Sequence, residues 1–419
     1  MRHPAGFTPR PTAAQVALFG LLFAGLVALT FPLGHRSDVG YWTDWASHMH
    51  RHGLGSIYQR SDNSYNPLYH YLLWLYGEAA GSLENIRQYR HYLKLLVLPF
   101  DVAGALLAAS LVPERNRRFG CVLLLLLNLG YVYNTLVWQQ IDAIYTFFAF
   151  AAVVAALRQR PVISLLAFVL ALNTKTQAVI FLPPLLLLWL PLWFRQPITL
   201  AKAIGAAALV QLLLLAPFIW GPSGNYLGTI IRNNLQATSF LPTVSQNAFN
   251  FWHLLLHRPD INSISDSVEF AGLSYRAWGL LLFCFASFLT LLPLLLLTLR
   301  QLRFRVEPPV SYPQMVLLSC GVIPILFAFF NTQMHERYWH AAILFLAAHA
   351  FLSRRYTIYV LASVAYLLNL EAILGAFHPL GQDFLVFKPR VVALLFVGVM
   401  LLAGKENLRN WRRIFKAIC

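Results

Sequence analysis

Long apolar runs separated by short polar islands organise this chain of 419 residues. A membrane-crossing helix needs roughly 20 apolar residues, fewer where it is kinked. By that measure the hydrophobic pattern predicts about twelve spans, near 14–33, 92–112, 119–137, 142–157, 161–174, 177–194, 203–220, 275–299, 313–330, 338–353, 356–374 and 391–404. The stretch 161–194 reads equally as two half-spans. The pattern predicts an all-α polytopic membrane protein with one integral-membrane domain over residues 1–419, with no soluble domain and no repeat. The first run is long and ends without a small-residue cleavage pattern, so it is expected to be a retained span.

The polar islands fall into two classes. One set is basic: Arg2 and Arg10, Arg115, Arg117 and Arg118, Arg158 and Arg160, Arg195 and Lys202, Arg300, Arg303 and Arg305, Arg354 and Arg355, and the tail from Lys405 to Lys416. Alternate islands rich in arginine and lysine mark the cytoplasmic side. The formal charge of +16 is therefore largely a topology signal, and no nucleic-acid partner is needed to explain it. Only 11% of residues are charged and 58% are hydrophobic, against about 25% charged in soluble domains. Cys121, Cys284, Cys320 and Cys419 form neither a disulfide framework nor a metal-binding pair.

The other islands hold the unusual residues, and all are expected on the outer side: 34–90, 138–142, Lys175, 221–274, 331–338 and 375–390. The 34–90 loop is expected to form short amphipathic helices. On a helix, Asp38, Trp42 and Trp45 share one face, while Asp44 and His48 share another. A carboxylate among indoles at a membrane surface is costly unless it is used or paired. Asp38 is either a general base or a helix N-cap, since aspartate favours that position. Asp44 is the competing candidate base, and with His48 at i+4 it reads as a structural pair or as a support to the site. Tyr65-Asn66-Pro67-Leu68-Tyr69 opens a second aromatic element. Trp42, Trp45, Tyr65 and Tyr69 can stack on sugar faces, or can form an interfacial aromatic belt.

Further along, Asp142 stands at a span mouth beside Gln139 and Gln140, and Asp101 lies inside an apolar run, where Lys94 is its expected partner. Lys175, with Gln177 close by, can snorkel or meet a phosphate. His335, Glu336, Arg337 and His340 form the densest polar cluster. Their spacing is not that of a zinc helix, and no metal or cofactor is expected. No phosphate-binding glycine loop occurs, which argues against a soluble nucleotide substrate. The 221–274 loop is expected to gate donor or acceptor, and its 246–255 end reads as a reentrant or interfacial helix.

Taken in order, these motifs resemble the GT-C superfamily of membrane glycosyltransferases, in particular dolichyl-phosphate-glucose-dependent glucosyltransferases and bacterial mannosyltransferase-like proteins. The family's acid with a tryptophan seven positions on is similar to Asp38 and Trp45. Its Tyr-Pro-Pro-Leu is similar to Tyr65-Asn66-Pro67-Leu68, with asparagine at the first proline. Its Trp-Gly-Gln-x-Asp is similar to Trp138-Gln139-Gln140-Ile141-Asp142, with Gln139 for glycine. Lys175, Gln177 and Pro183, then Asn250 and Trp252, then His335-Glu336-Arg337 match the remaining motifs.

The resemblance implies the GT-C fold and an inverting transfer of a hexose, mannose or glucose, from a polyprenyl-phosphate carrier to a glycan or glycolipid acceptor. Asp38 would be the base. His335, Arg337 and Lys175 would face the donor phosphate, and Trp42, Trp45, Tyr65, Tyr69, Gln140, Asp142, Gln177 and Glu336 would line the substrate site. It also implies a bacterial inner membrane with the site on the extracytoplasmic face. The rival class is a transporter or flippase of lipid-linked sugars, which would more often carry acids near mid-membrane and paired halves with broken helices.

Overall fold

A computed structural model describes residues 12–30, 34–236, 241–256, 258–377 and 384–416. Arg2, Arg10 and Cys419, the end of the first apolar run, and parts of the 221–274 and 375–390 loops lie outside the described residues. The chain is mostly helical. Among the described residues, seven helices are long and apolar enough to cross a membrane: Arg90–Ser110, Thr176–Arg195, Pro197–Ile219, Tyr275–Phe304, Tyr312–Phe330, Thr357–Leu374 and Pro389–Arg412. An eighth candidate is broken, Arg115–Leu126 and Leu129–Leu136, bent by 54°. The bend has a local cause, because the Asn128 side chain accepts from the Tyr131 amide and starts the second half as a new helix.

The remaining apolar runs expected to span are helices of 10–17 residues: Ala13–Ala28, Asp142–Leu157, Pro161–Thr174 and His340–Ser353. They are shorter than a straight crossing needs, so among the described residues length and composition alone support seven or eight of the twelve expected spans. Two of them are cut short where polar residues leave the apolar run. Asp142 begins one helix, and Lys175, in an extended conformation, ends another.

Burial is uneven. In the apolar 18-residue stretch of each helix, 78% of Tyr312–Phe330 is buried, against 17% of Pro197–Ile219 and 28% of Tyr275–Phe304. With His340–Ser353 and Asp142–Leu157, Tyr312–Phe330 forms the centre of the main core. The outward leucines of the two least buried helices would meet lipid. One end of the bundle collects the basic groups: Arg158 on Ser110, Arg117 on the Phe351 carbonyl, Arg354 on Glu114 and Arg355 on Glu406. The starts of Asp142–Leu157 and His340–Ser353 and the end of Pro161–Thr174 lie at the other.

Above that other end sit the helices of the first loop, Arg36–His52, Pro67–Ala80 and Leu83–Gln88. Gly53 at φ +80° ends the first, and Pro67 starts the second. The 246–255 segment departs from the expected interfacial helix. Only Phe251–Leu255 is helical, and the Trp252 ring is buried. The Gln246 and Ala248 amides instead donate to the Met334 carbonyl, so the loop is stitched to the 331–338 turn.

Candidate active site

Asp38 lies in the first turn of Arg36–His52. The N-cap is His35, without a capping side-chain bond, so Asp38 is not the cap. Its Oδ2 accepts from Gln140 Nε2, lies 3.7 Å from Arg337 Nη1 and lies 3.8 Å from His35 Nδ1. Among the described residues these contacts all end on Oδ2, and the side chain is 22% exposed. Burial alone would push the Asp38 carboxyl up. Arg337, His35 and Gln140 together overcome that and hold it below the usual carboxylate range.

Gln140 reaches Asp38 because of an unusual backbone turn. Gln139 adopts φ +63°, the left-handed region that glycine occupies at no steric cost. Its own side chain donates to the Arg90 carbonyl at 2.7 Å, and the Gln140 amide donates to the Asn134 carbonyl at 2.8 Å. Two residues on, Asp142 is fully buried. Lys175 Nζ donates to its Oδ1 at 2.6 Å, Asn134 Nδ2 lies 3.4 Å from Oδ2, and Arg337 Nε is 4.0 Å from Oδ2. Lys175 itself is 10% exposed.

Arg337 is the hub. Besides Asp38 and Asp142, it donates from Nη1 to Glu336 Oε1 at 3.2 Å. Burial would lower its pKa, but Asp38 and Glu336 hold it firmly protonated. For Glu336, burial raises the pKa, and His335 and Arg337 bring it below the usual range. His335 Nδ1 stands 3.9 Å from Glu336 and 3.5 Å from Arg337. Burial and Arg337 push its pKa down, so near neutral pH it acts as an uncharged hydrogen-bonding group. The centre thus holds three carboxylates and two fixed cations in alternation.

The aromatic residues form the floor. Trp42, Trp45 and Tyr69 are buried, and Trp42 meets Tyr69 edge-on at 5.4 Å as Trp45 meets Tyr65 at 5.2 Å. Pairs of this geometry contribute about 0.5–1.5 kcal/mol each beyond area burial. Gln177 lies beside Tyr338, whose ring lies 6.0 Å from Lys175 Nζ. Asn66 donates to the Leu172 carbonyl at 2.7 Å and to Thr176 at 3.3 Å, and accepts from Asn234 at 2.8 Å. It ties the aromatic floor to the segment that carries Lys175.

The structure therefore brings Asp38, Gln140, Asp142, Lys175, His335, Glu336 and Arg337 together. Asp44 stays apart, on the exposed side of its helix. His48 does not pair with it: its Nε2 meets the Ser56 carbonyl at 3.2 Å. Asp101 lies 3.8 Å from His340, beyond hydrogen-bond distance, while the expected partner Lys94 donates to the Leu136 carbonyl at 2.6 Å. Sequence reasoning missed His35 and Asn134. The three-residue spacing to Asp38 could have found the first, and membership of the 134–142 run the second. Nothing local marks Asn234, which sits in the amphipathic helix Leu227–Leu235. Among the described residues, no three His, Cys, Asp or Glu side chains are arranged to hold a metal ion. Compared with protein-family models and with curated protein sequences, the chain matches none.

Proposed function

We propose that the protein is an inverting membrane glycosyltransferase of GT-C architecture. It moves a hexose, mannose or glucose, from a polyprenyl-phosphate carrier to a lipid-linked or envelope glycan acceptor at the extracytoplasmic face of a bacterial inner membrane. In this reading the basic end of the bundle is cytoplasmic. The short helices complete a twelve-segment frame. The observation that carries the reading is the pairing of an ionised, partly exposed Asp38 with the Arg337–Lys175 cation pair across one polar centre. The left-handed Gln139 supports the resemblance from another direction, because it occupies the motif position where glycine is usual.

The chemistry follows from the geometry. Asp38 has its contacts on Oδ2, which leaves Oδ1 for the acceptor hydroxyl. That hydroxyl attacks the anomeric carbon from the face opposite the phosphate. The bond to the phosphate oxygen breaks, its electron pair stays on the lipid phosphate, and the acceptor proton ends on Asp38. A carboxylate of low pKa accepts a proton late, once the new carbon–oxygen bond is well advanced. The lipid phosphate gains a negative charge as it leaves. Arg337 and Lys175 are held side by side by Asp142, so they meet that charge without reorganisation. Neutral His335 adds a hydrogen bond. Trp42, Trp45, Tyr65 and Tyr69 shape the sugar-facing floor, and Gln177 and Glu336 orient Tyr338 and Arg337.

The test is direct transfer in proteoliposomes, with a labelled hexose on a synthetic polyprenyl phosphate and glycolipid acceptors. The expected result is a hexosylated acceptor whose anomeric configuration is opposite to that of the donor. Retention of configuration would sink the inverting step. Movement of the intact lipid-linked sugar across the bilayer without transfer would establish a flippase instead.

A further inference from the structure

The long outer segment after residue 241 contacts the Arg337-bearing turn through one carboxylate that the reaction above does not use. Asp266 is fully buried. Its Oδ1 accepts from Arg276 Nη2 at 3.0 Å. Its Oδ2 accepts from Arg276 Nε at 3.0 Å, from Thr332 Oγ1 at 2.8 Å and from Gln333 Nε2 at 2.7 Å. The backbone repeats the pattern. The Asp266 amide donates to the Pro242 carbonyl, the Arg276 amide to the Asp266 carbonyl and the Gln333 amide to the Thr243 carbonyl.

Three parts of the chain thus meet at one side chain: the loop itself, the start of helix Tyr275–Phe304, and the turn that continues into His335, Glu336 and Arg337. That turn needs holding. It is not helical, and Gln333 sits at φ +64°, a conformation costly for a residue with a Cβ. A charge-assisted bidentate arginine bond is among the most directional a protein makes. Here it fixes the carboxylate, and the carboxylate fixes Thr332 and Gln333.

We infer that Asp266 is a positioning residue for Arg337: with Arg276 it clamps the 331–338 turn so that the Arg337 guanidinium stays between Asp38, Asp142 and Glu336. The inference rests on the glycosyl-transfer reading only for its effect on rate. Near an active site, misplacement by about 1 Å can cost about 10²-fold, so the clamp acts on turnover more than on acceptor capture. Pro242, Thr243, Asp266 and Arg276 are then part of the active-site frame.

The experiment pairs hydrogen exchange with kinetics on the full chain in detergent. In Asp266→Asn, one oxygen and the charge are lost. Amides of 331–338 are expected to exchange about tenfold faster, as for a locally opened turn, with Arg36–His52 unchanged. Thr332→Val, which removes a single bond, is expected to give a smaller rise in the same peptides. Turnover of folded Asp266→Asn should fall about tenfold or more with acceptor KM unchanged. Unaltered exchange at 331–338 overturns the clamp, and that readout needs no catalysis. Faster exchange with wild-type turnover overturns the positioning role. A wild-type chain that transfers no sugar would refute the enzymatic reading while the exchange result still judges the clamp.

Discussion

The two ends of the bundle use charge in opposite ways. At the basic end, ion pairs lie open to solvent: Arg354 is 64% and Glu114 41% exposed, and Arg195 meets a Glu307 that is 74% exposed. Such pairs contribute little, because water screens them and long side chains lose freedom in forming them. At the other end Asp142 and Glu336 are 0% and 2% exposed, and Arg337 and Lys175 11% and 10%. Burying charge is costly, and apolar packing of the same volume is often as stable or more so. Four buried charges thus pair with one another at one end, whereas among the described ion pairs at the other the buried member is Glu406, 10% exposed, beside Arg355 and Arg409 that are 46% and 49% exposed. The difference teaches that charge count misleads. In the proposed reading the basic end, with its many cations, sets orientation, and the sparser end carries the chemistry.

The largest expected loss of stability follows from Asp142→Asn. It leaves Lys175 without its carboxylate and Arg337 with one fewer, and an orphaned buried charge costs about 3–5 kcal/mol. The melting temperature in detergent should drop sharply, and the double variant with Lys175→Met should recover part of the drop. An Asp142→Asn protein as stable as wild type would place that end in the same class as the basic one.

Next is pH. The folded pKa of Asp38 lies below its ordinary value, so the stabilisation from its partners is present above that ordinary value and is lost as pH falls through the folded one. Transfer should therefore show no acid limb from Asp38 between roughly pH 5 and 8, since the base stays ionised. In Arg337→Gln the largest lowering influence is gone and burial prevails. The acid limb of the residual activity should then move up. A limb that stays put would mean that Arg337 does not act on Asp38.

A smaller effect is expected at Gln139. Gln139→Gly relieves a left-handed residue, worth about 1–2 kcal/mol, but removes the bond to the Arg90 carbonyl, worth about 0.5–1.5 kcal/mol. The melting point should move little, whereas Gln139→Val, β-branched and unable to make that bond, should be clearly destabilised. Smallest of all, Glu114→Gln at the basic end should leave melting and transfer unchanged within error.

Much of this was legible in the sequence for physical reasons. Each apolar run produced a helix, because an unbroken hydrophobic stretch has few alternatives in lipid. The site residues stood in polar islands between those runs, where ionisable groups are conspicuous. What stayed hidden depends on contacts between distant segments. The meeting of Asp142 with Lys175, the role of Asn66 and the burial of Asp266 under Arg276 leave no local periodicity. The pairing assigned to Asp44 and His48 failed because helical spacing permits a contact without requiring one, and His48 meets the Ser56 carbonyl instead. Lys94 and Asp101 share a helix at seven residues, yet Lys94 bonds the Leu136 carbonyl on another helix and Asp101 faces His340 on a third.

The central claim is that Asp38 is the proton acceptor of this centre. Asp38→Asn keeps the size and most of the hydrogen bonding of the side chain and removes its capacity to take the acceptor proton. Asp44→Asn, six residues on and on the exposed side of the same helix, serves as its counterpart. Turnover from a synthetic polyprenyl-phosphate hexose, with donor binding measured separately, distinguishes them. The account expects Asp38→Asn to lose about 10²–10⁴-fold in rate while still binding donor, and Asp44→Asn to lose much less. Near-normal turnover in Asp38→Asn together with an inactive Asp44→Asn would contradict it.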